Sequence, residues 1–112
     1  MSKINSNRKG KQGELEFANL CKEYGFEEAR RSQQYSGEGH TADVVGLPEL
    51  HIEVKRVERL NIEKAIDQCF EDKHEDDLGI VAHRKNNRNW LVTMDFDEWM
   101  EIYKRYLLTL DK

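Results

Sequence analysis

The stretch Thr41–Lys55, TADVVGLPELHIEVK, constrains this chain more than any other. Two short apolar runs, Ala42–Val45 and Leu50–Lys55, flank Gly46-Leu47-Pro48-Glu49. A Gly/Pro cluster between runs rich in Val and Ile predicts a β-hairpin. A turn centred near Pro48 sets Asp43 opposite Glu53 and Thr41 opposite Lys55. Directly opposed residues share one face of a sheet, with Cβ atoms roughly 4.5–5.5 Å apart. Alternation then places Glu53 and Lys55 on that face and turns Ala42, Val44, Ile52 and Val54 toward a core. Two carboxylates facing each other repel, and a hard divalent cation between them is the natural relief. The ordinary reading of the same pattern is the wet face of an edge hairpin, and a one-residue bulge would shift the register.

The remaining elements follow from periodicity and punctuation. Met1–Arg8 is polar and expected to fray. Lys9-Gly10-Lys11-Gln12-Gly13 is a glycine-punctuated basic lead-in to a first helix, expected from Lys11 to Tyr24. Leu15, Phe17, Ala18, Leu20, Cys21 and Tyr24 are its apolar positions, and Gly25 is a left-handed stop. Phe26–Arg31 is a strand candidate diluted by Glu27 and Glu28, and Gln33–His40 a polar loop. Asn61 opens a second helix with Ile62, Ala65, Ile66, Cys69 and Phe70 at three-and-four spacing. It ends in the acidic run Glu71–Asp77, a solvated helix end and loop. Leu78–His83 reads as a strand buried on both faces. A basic turn, Arg84-Lys85-Asn86-Asn87-Arg88, leads to a strand over Asn89–Met94. Asp95 and Glu98 suit a capping box for a last helix. Its main apolar stripe is Phe96, Trp99, Met100, Tyr103, Leu107 and Leu110, with Ile102 and Tyr106 left over. The order α-β-β-β-α-β-β-α predicts a single α/β domain, a mixed β-sheet flanked by helices.

Composition narrows the function classes. A chain of 112 residues supports one core. No run is long enough to span a membrane, and the first residues lack the apolar segment of a secretory signal, so a cytoplasmic protein is expected. Cys21 and Cys69 stand apart without metal-ligand spacing and read as small buried hydrophobes. The net charge of −4 opposes general nucleic-acid binding unless the basic residues cluster. They do: Arg8, Lys9 and Lys11; Arg30 and Arg31; Arg56 and Arg59; Arg84, Lys85 and Arg88. The acids gather instead at Glu71–Asp77 and Asp95–Glu101.

Two features join the hairpin: Glu14 within KGKQGELEF, and Glu53-Val54-Lys55 ten positions after Asp43. In order, the stretches RKGKQGELEFANLCKEYGF, ARRS, ADVVG and IEVK resemble the PD-(D/E)xK nuclease superfamily, and within it the archaeal-type and phage Holliday junction resolvases. The likeness covers roughly the first half of the chain; the second half matches only in its helix-strand-strand order. The resemblance implies a restriction-endonuclease-like sheet and a Mg²⁺-dependent endonuclease, with Mn²⁺ able to substitute. It implies branched DNA, above all the four-way junction, as substrate, and a homodimer whose two active sites meet two strands. Related enzymes of the superfamily cut flaps, nicks or duplex, and a non-cleaving DNA-binding or assembly protein of the same fold is the remaining alternative.

Residue by residue, the resemblance implies that Asp43 and Glu53 hold Mg²⁺ with the main-chain carbonyl of Val54, and that Glu14 reaches the same metal. Lys55 would orient the attacking water or stabilise charge on the phosphate, and Arg31 would grip a phosphate. These roles suit the chemistry of carboxylate, ammonium and guanidinium groups. Lys9, Lys11, Arg30, Arg31, Ser36, Arg56 and Arg59 are the expected DNA contacts. Ala42 stands where the superfamily name has proline. Glu16 faces a different way on the helix from Glu14, which keeps the family interval from Lys9-Gly10. The loop Gln33–His40 is longer than the resemblance to archaeal members leads one to expect; Ser36 and His40 are candidate strand contacts, and Gln68 a candidate neighbour of the active face.

Overall fold

In a computed structural model, residues 5–32 and 42–110 are described. The elements are α1 (Asn5–Glu23), β1 (Arg30–Arg31), β2 (Val44–Val45), β3 (Leu50–Arg56), α2 (Ile62–Asp72), β4 (Leu78–Arg84), β5 (Leu91–Met94) and α3 (Phe96–Leu110). This is the α-β-β-β-α-β-β-α order expected of the sequence. The strands form one mixed sheet in chain order, β1-β2-β3-β4-β5. Only β3 and β4 run parallel, and α2 is the crossover that a parallel pair requires.

The hairpin has the predicted register. Val44 pairs with Ile52, which brings Asp43 beside Glu53. In the turn, the Leu50 N–H donates to the Leu47 carbonyl at 3.4 Å, with Pro48 and Glu49 between them. Glu49 takes a left-handed φ of 67°, the conformation that a type II turn demands at that place. Gly46 has φ 102°, and a Cβ there would lie 2.2 Å from the Glu28 carbonyl oxygen. No other residue fits that corner.

Alternation along the strands divides the core into two layers. Val44, Ile52, Val54, Ile80 and Ala82 meet Phe17, Ala18 and Cys21 of α1. On the opposite face Val81 packs with Ala65 and Cys69 of α2, four residues apart on one helix stripe. Asn61 caps α2 by accepting from the Lys64 N–H at 3.1 Å. His51, Ile52, Glu53 and Val54 are all buried. The face that carries Glu53 is therefore not the wet side of an edge hairpin; β3 is the central strand, with a helix on each side.

Several expectations are corrected. Helix α1 begins at Asn5, not Lys11, and includes Asn5–Arg8 of the stretch expected to fray. Glycine inside a helix costs only about 1 kcal/mol relative to Ala, and Gly13 has a packing reason to be there. A Cβ at Gly13 would lie 2.8 Å from the Arg56 Cβ, so its bare backbone lets α1 cross close over β3. The helix stops as expected: the Phe26 N–H reaches the Cys21 carbonyl and the Gly25 N–H the Lys22 carbonyl, a Schellman pattern. Strand β1 is two residues long rather than the whole of Phe26–Arg31, and β5 starts at Leu91 rather than Asn89.

The largest correction is α3, whose apolar stripe was expected to supply core contacts and supplies none: no residue of the helix is buried. Helix α1 packs on β1, β2 and β3 and α2 on β3 and β4, while α3 runs on from the edge strand β5, whose Leu91 and Val92 stay exposed. Its first turn is tethered to the sheet by Glu98, which accepts from the Gly79 N–H at 2.8 Å and pairs with Lys73 at 3.2 Å. Asp95 caps the helix by accepting from Asp97 and Glu98 N–H groups. Glu98 spends its carboxylate on β4 and Lys73 instead of closing a capping box.

Candidate active site

Asp43 stands immediately before strand β2. Its N–H donates to the Ile52 carbonyl at 2.8 Å, and its Oδ2 accepts from the Val54 N–H at 2.8 Å. The carboxylate thus takes a place that a backbone acceptor would hold in a longer ladder. It lies against Glu53, which is only 6% exposed.

The electrostatics of this pair follow from the packing. The Asp43 carboxyl is pushed up to about 7, first by burial and then by the charge on Glu53. The Val54 N–H opposes the rise; Glu14 and a hydrogen bond with Glu53 add to it. Two carboxyls that meet in a partly dry site cannot both ionise freely. Asp43 therefore keeps its proton up to the neutral range.

Glu53 has a second partner. Its Oε2 lies 2.9 Å from His51 Nε2, and both side chains are buried. His51 is two residues earlier on the same strand face, and an ionised Glu53 requires it to present Nε2–H. Below the pair, the Cys69 thiol points to the His51 and Ile80 carbonyls. Burial, followed by the charge on Glu53, pushes that thiol up to about 12, so it stays neutral.

Helix α1 brings Glu14 to the rim. Its Oε1 accepts from Arg31 Nε at 3.0 Å, and its charge reaches Asp43. Glu16 points elsewhere, to Arg84 at 3.1 Å and Arg56 at 3.4 Å. The two acids diverge as helical geometry requires. Lys55 is half-buried and follows Glu53 along β3, in register with His83 of β4.

The candidate DNA contacts separate into two groups. Lys11, Arg30 and Arg59 are exposed, and Lys9 is half-buried. Arg31 and Arg56, expected on phosphates, pair with Glu14 and Glu16. Arg56 tucks beneath α1, beside its strand neighbour Arg84. Ser36 and His40 lie outside the described residues, as does Thr41. Gln68 is exposed and donates to Asp72 at 3.3 Å. Sequence reasoning missed His51 and the Arg56–Glu16–Arg84 bridge. His51 was open to discovery, since a residue two positions before Glu53 on a strand must share its face.

Among the described residues no three His, Cys, Asp or Glu side chains are placed to hold a metal ion together. The donor set nevertheless fits Mg²⁺, which is commonly held by one or two carboxylates, with waters and substrate phosphates completing its shell. The raised proton affinity of Asp43 is the mark of a pair that a cation would relieve. Among the described residues, no helix is long and apolar enough to cross a membrane. Comparison of the chain with protein-family models, with curated proteins and with solved structures returned no match.

Proposed function

We propose that this chain is a metal-dependent, structure-selective DNA endonuclease that hydrolyses phosphodiesters in four-way junctions. The observation that carries the reading is the convergence of Asp43 and Glu53 across the β2–β3 hairpin, with Lys55 two residues on from Glu53. Asp43 and Glu53 would hold Mg²⁺, with the Val54 main chain beside them and Glu14 at the rim. When bound, the cation would neutralise phosphate charge and make water a better nucleophile.

The chain's own groups then have separate tasks. The Val54 N–H fixes one oxygen of Asp43 and His51 fixes one oxygen of Glu53, so both carboxylates are oriented before substrate arrives. The Lys55 ammonium holds the attacking water or offsets charge that builds on the phosphate oxygens. Exposed Lys11, Arg30 and Arg59 attract the backbone around the cut, a sequence-tolerant form of binding.

A cleavage panel tests the reading: four-way junction, flap, nicked and linear DNA, each with Mg²⁺, Mn²⁺ or chelator, and Asp43→Asn as control. Metal-dependent cutting of the junction in preference to the others, lost in the variant, supports it. Cutting confined to flaps or nicks would move the substrate within the nuclease class. Binding without cutting under every condition would favour the non-cleaving alternative.

A further inference from the structure

Helix α3 is the largest feature that the candidate site leaves unused. Phe96, Trp99, Tyr103, Tyr106 and Leu110 recur at alternating spacings of three and four, the a/d pattern of a coiled-coil seam. Their rings already line up along the helix. Phe96 and Trp99 lie 6.3 Å apart, and Trp99 and Tyr103 stack at 5.4 Å with planes 4° apart. Yet Phe96 is 68% exposed, Trp99 45%, Tyr103 40%, Tyr106 54% and Leu110 56%. With Ile102 and Leu107 they present on the order of 700 Å² of surface, close to the roughly 800 Å² per partner of a standard interface. Among the described residues nothing buries any residue of the helix.

The charges on the helix indicate what does. Asp97, Glu98 and Glu101 occupy its first half, and Lys104 and Arg105 its second. An antiparallel copy of the same helix sets acidic half beside basic half at both ends, whereas a parallel copy sets like against like. A groove of about 610 Å³ runs along α3, lined by Glu75, Asp76 and Asp77 together with Glu98, Glu101 and the helix's own Arg105. Its carboxylates outnumber that one guanidinium, so the groove stays acidic.

We propose that α3 pairs with α3 of a second copy of this chain, antiparallel about a two-fold axis near Tyr103. The interface is isologous, so the aromatic seam meets itself and each acidic groove receives the partner's Lys104 and Arg105. The inference rests on the helix and the groove beside it, and is independent of the nuclease reading.

Sedimentation of the full chain without DNA, from roughly 1 to 100 µM, tests it. The expected mass is twice the 13.3 kDa of one chain. Trp99→Glu with Tyr106→Glu should give a monomer whose far-UV circular dichroism is unchanged, because α3 contributes no buried residue. Lys104→Glu with Arg105→Glu should also dissociate, and mixing with Asp97→Lys, Glu101→Lys chains should restore a dimer of one of each. Orientation is read by disulfide trapping, since both native cysteines are buried. Phe96→Cys chains should cross-link to Leu110→Cys chains and neither to itself. A wild-type monomer throughout the range, a dimer that survives both glutamates, or cross-linking of Phe96→Cys only with itself would overturn the proposal. Cleavage is not read in any arm, so failure here and failure of the nuclease assignment are separate results.

Discussion

Replacing Asp43 by Asn isolates the repulsion on which the metal reading depends. The native carboxyl holds its proton to about pH 7, against 3.8 in its ordinary state. The folded chain therefore binds more protons than the unfolded chain between those values, and its stability falls as pH rises through them. At 1.36 kcal/mol per pH unit the full effect is about 4 kcal/mol above pH 7. Asn removes the charge but keeps an oxygen that can accept from the Val54 N–H, now as a neutral hydrogen bond. That exchange returns roughly 1–2 kcal/mol of the gain. The variant should then be more stable than the parent by about 2 kcal/mol at pH 8, a rise in Tm of roughly 6–10 °C for a domain of this size. Near pH 4, where the unfolded carboxyl is also becoming protonated, the difference should vanish. Thermal melting by circular dichroism in chelator at pH 4, 6 and 8 measures this directly. Mg²⁺ should raise the Tm of the parent at pH 8 and leave the variant unmoved. A variant that melts below the parent at pH 8, or an advantage equal at all three pH values, would refute the reasoning.

Glu14→Gln should lower cleavage roughly 10–100-fold, while Glu16→Gln, which loosens Arg56 and Arg84 instead, should change it little; single-turnover rates on a junction decide between the two acids. Changing the exposed Lys11, Arg30 and Arg59 together to Gln should weaken junction binding and reduce the slope of log affinity against log salt by about 0.9 for every phosphate no longer neutralised. Melting of that triple variant should match the parent, which separates a weakened grip on DNA from a damaged fold. Gly13→Ala should destabilise despite its better helix propensity. The crowding against the Arg56 Cβ costs roughly 1–3 kcal/mol against a gain of about 1, which a urea midpoint will show.

Some of this protein is legible in its residues alone. The register that joins Asp43 to Glu53 follows from Gly46 and Pro48, because a turn fixes the pairing and a period of two assigns every side chain beyond it to a face. The Asn61 cap, the Gly25 stop and the doubly buried β4 are similarly local, each set by the conformational demands of a few neighbouring residues. Which of Glu14 and Glu16 approaches Asp43 is half legible: helix geometry says that they diverge, and the sheet beneath decides which way. The start of α1 is not legible, since Gly10 and Gly13 look like boundaries until Arg56 explains the need for bare backbone at Gly13. Neither is the state of Arg31 and Arg56, whose carboxylate partners lie 17 and 40 positions away along the chain. The partnership of His51 with Glu53, and the burial that drives Asp43 toward neutrality, exist because β3 lies at the centre of the sheet with α2 over it. Helix α3 makes the same point from outside the core. Its sequence determines that one face is apolar, because period and composition are properties of the segment itself. What that face meets is decided by the tertiary structure, in which α1 and α2 form the two core layers on the sheet and α3 leaves from its β5 edge with no residue buried.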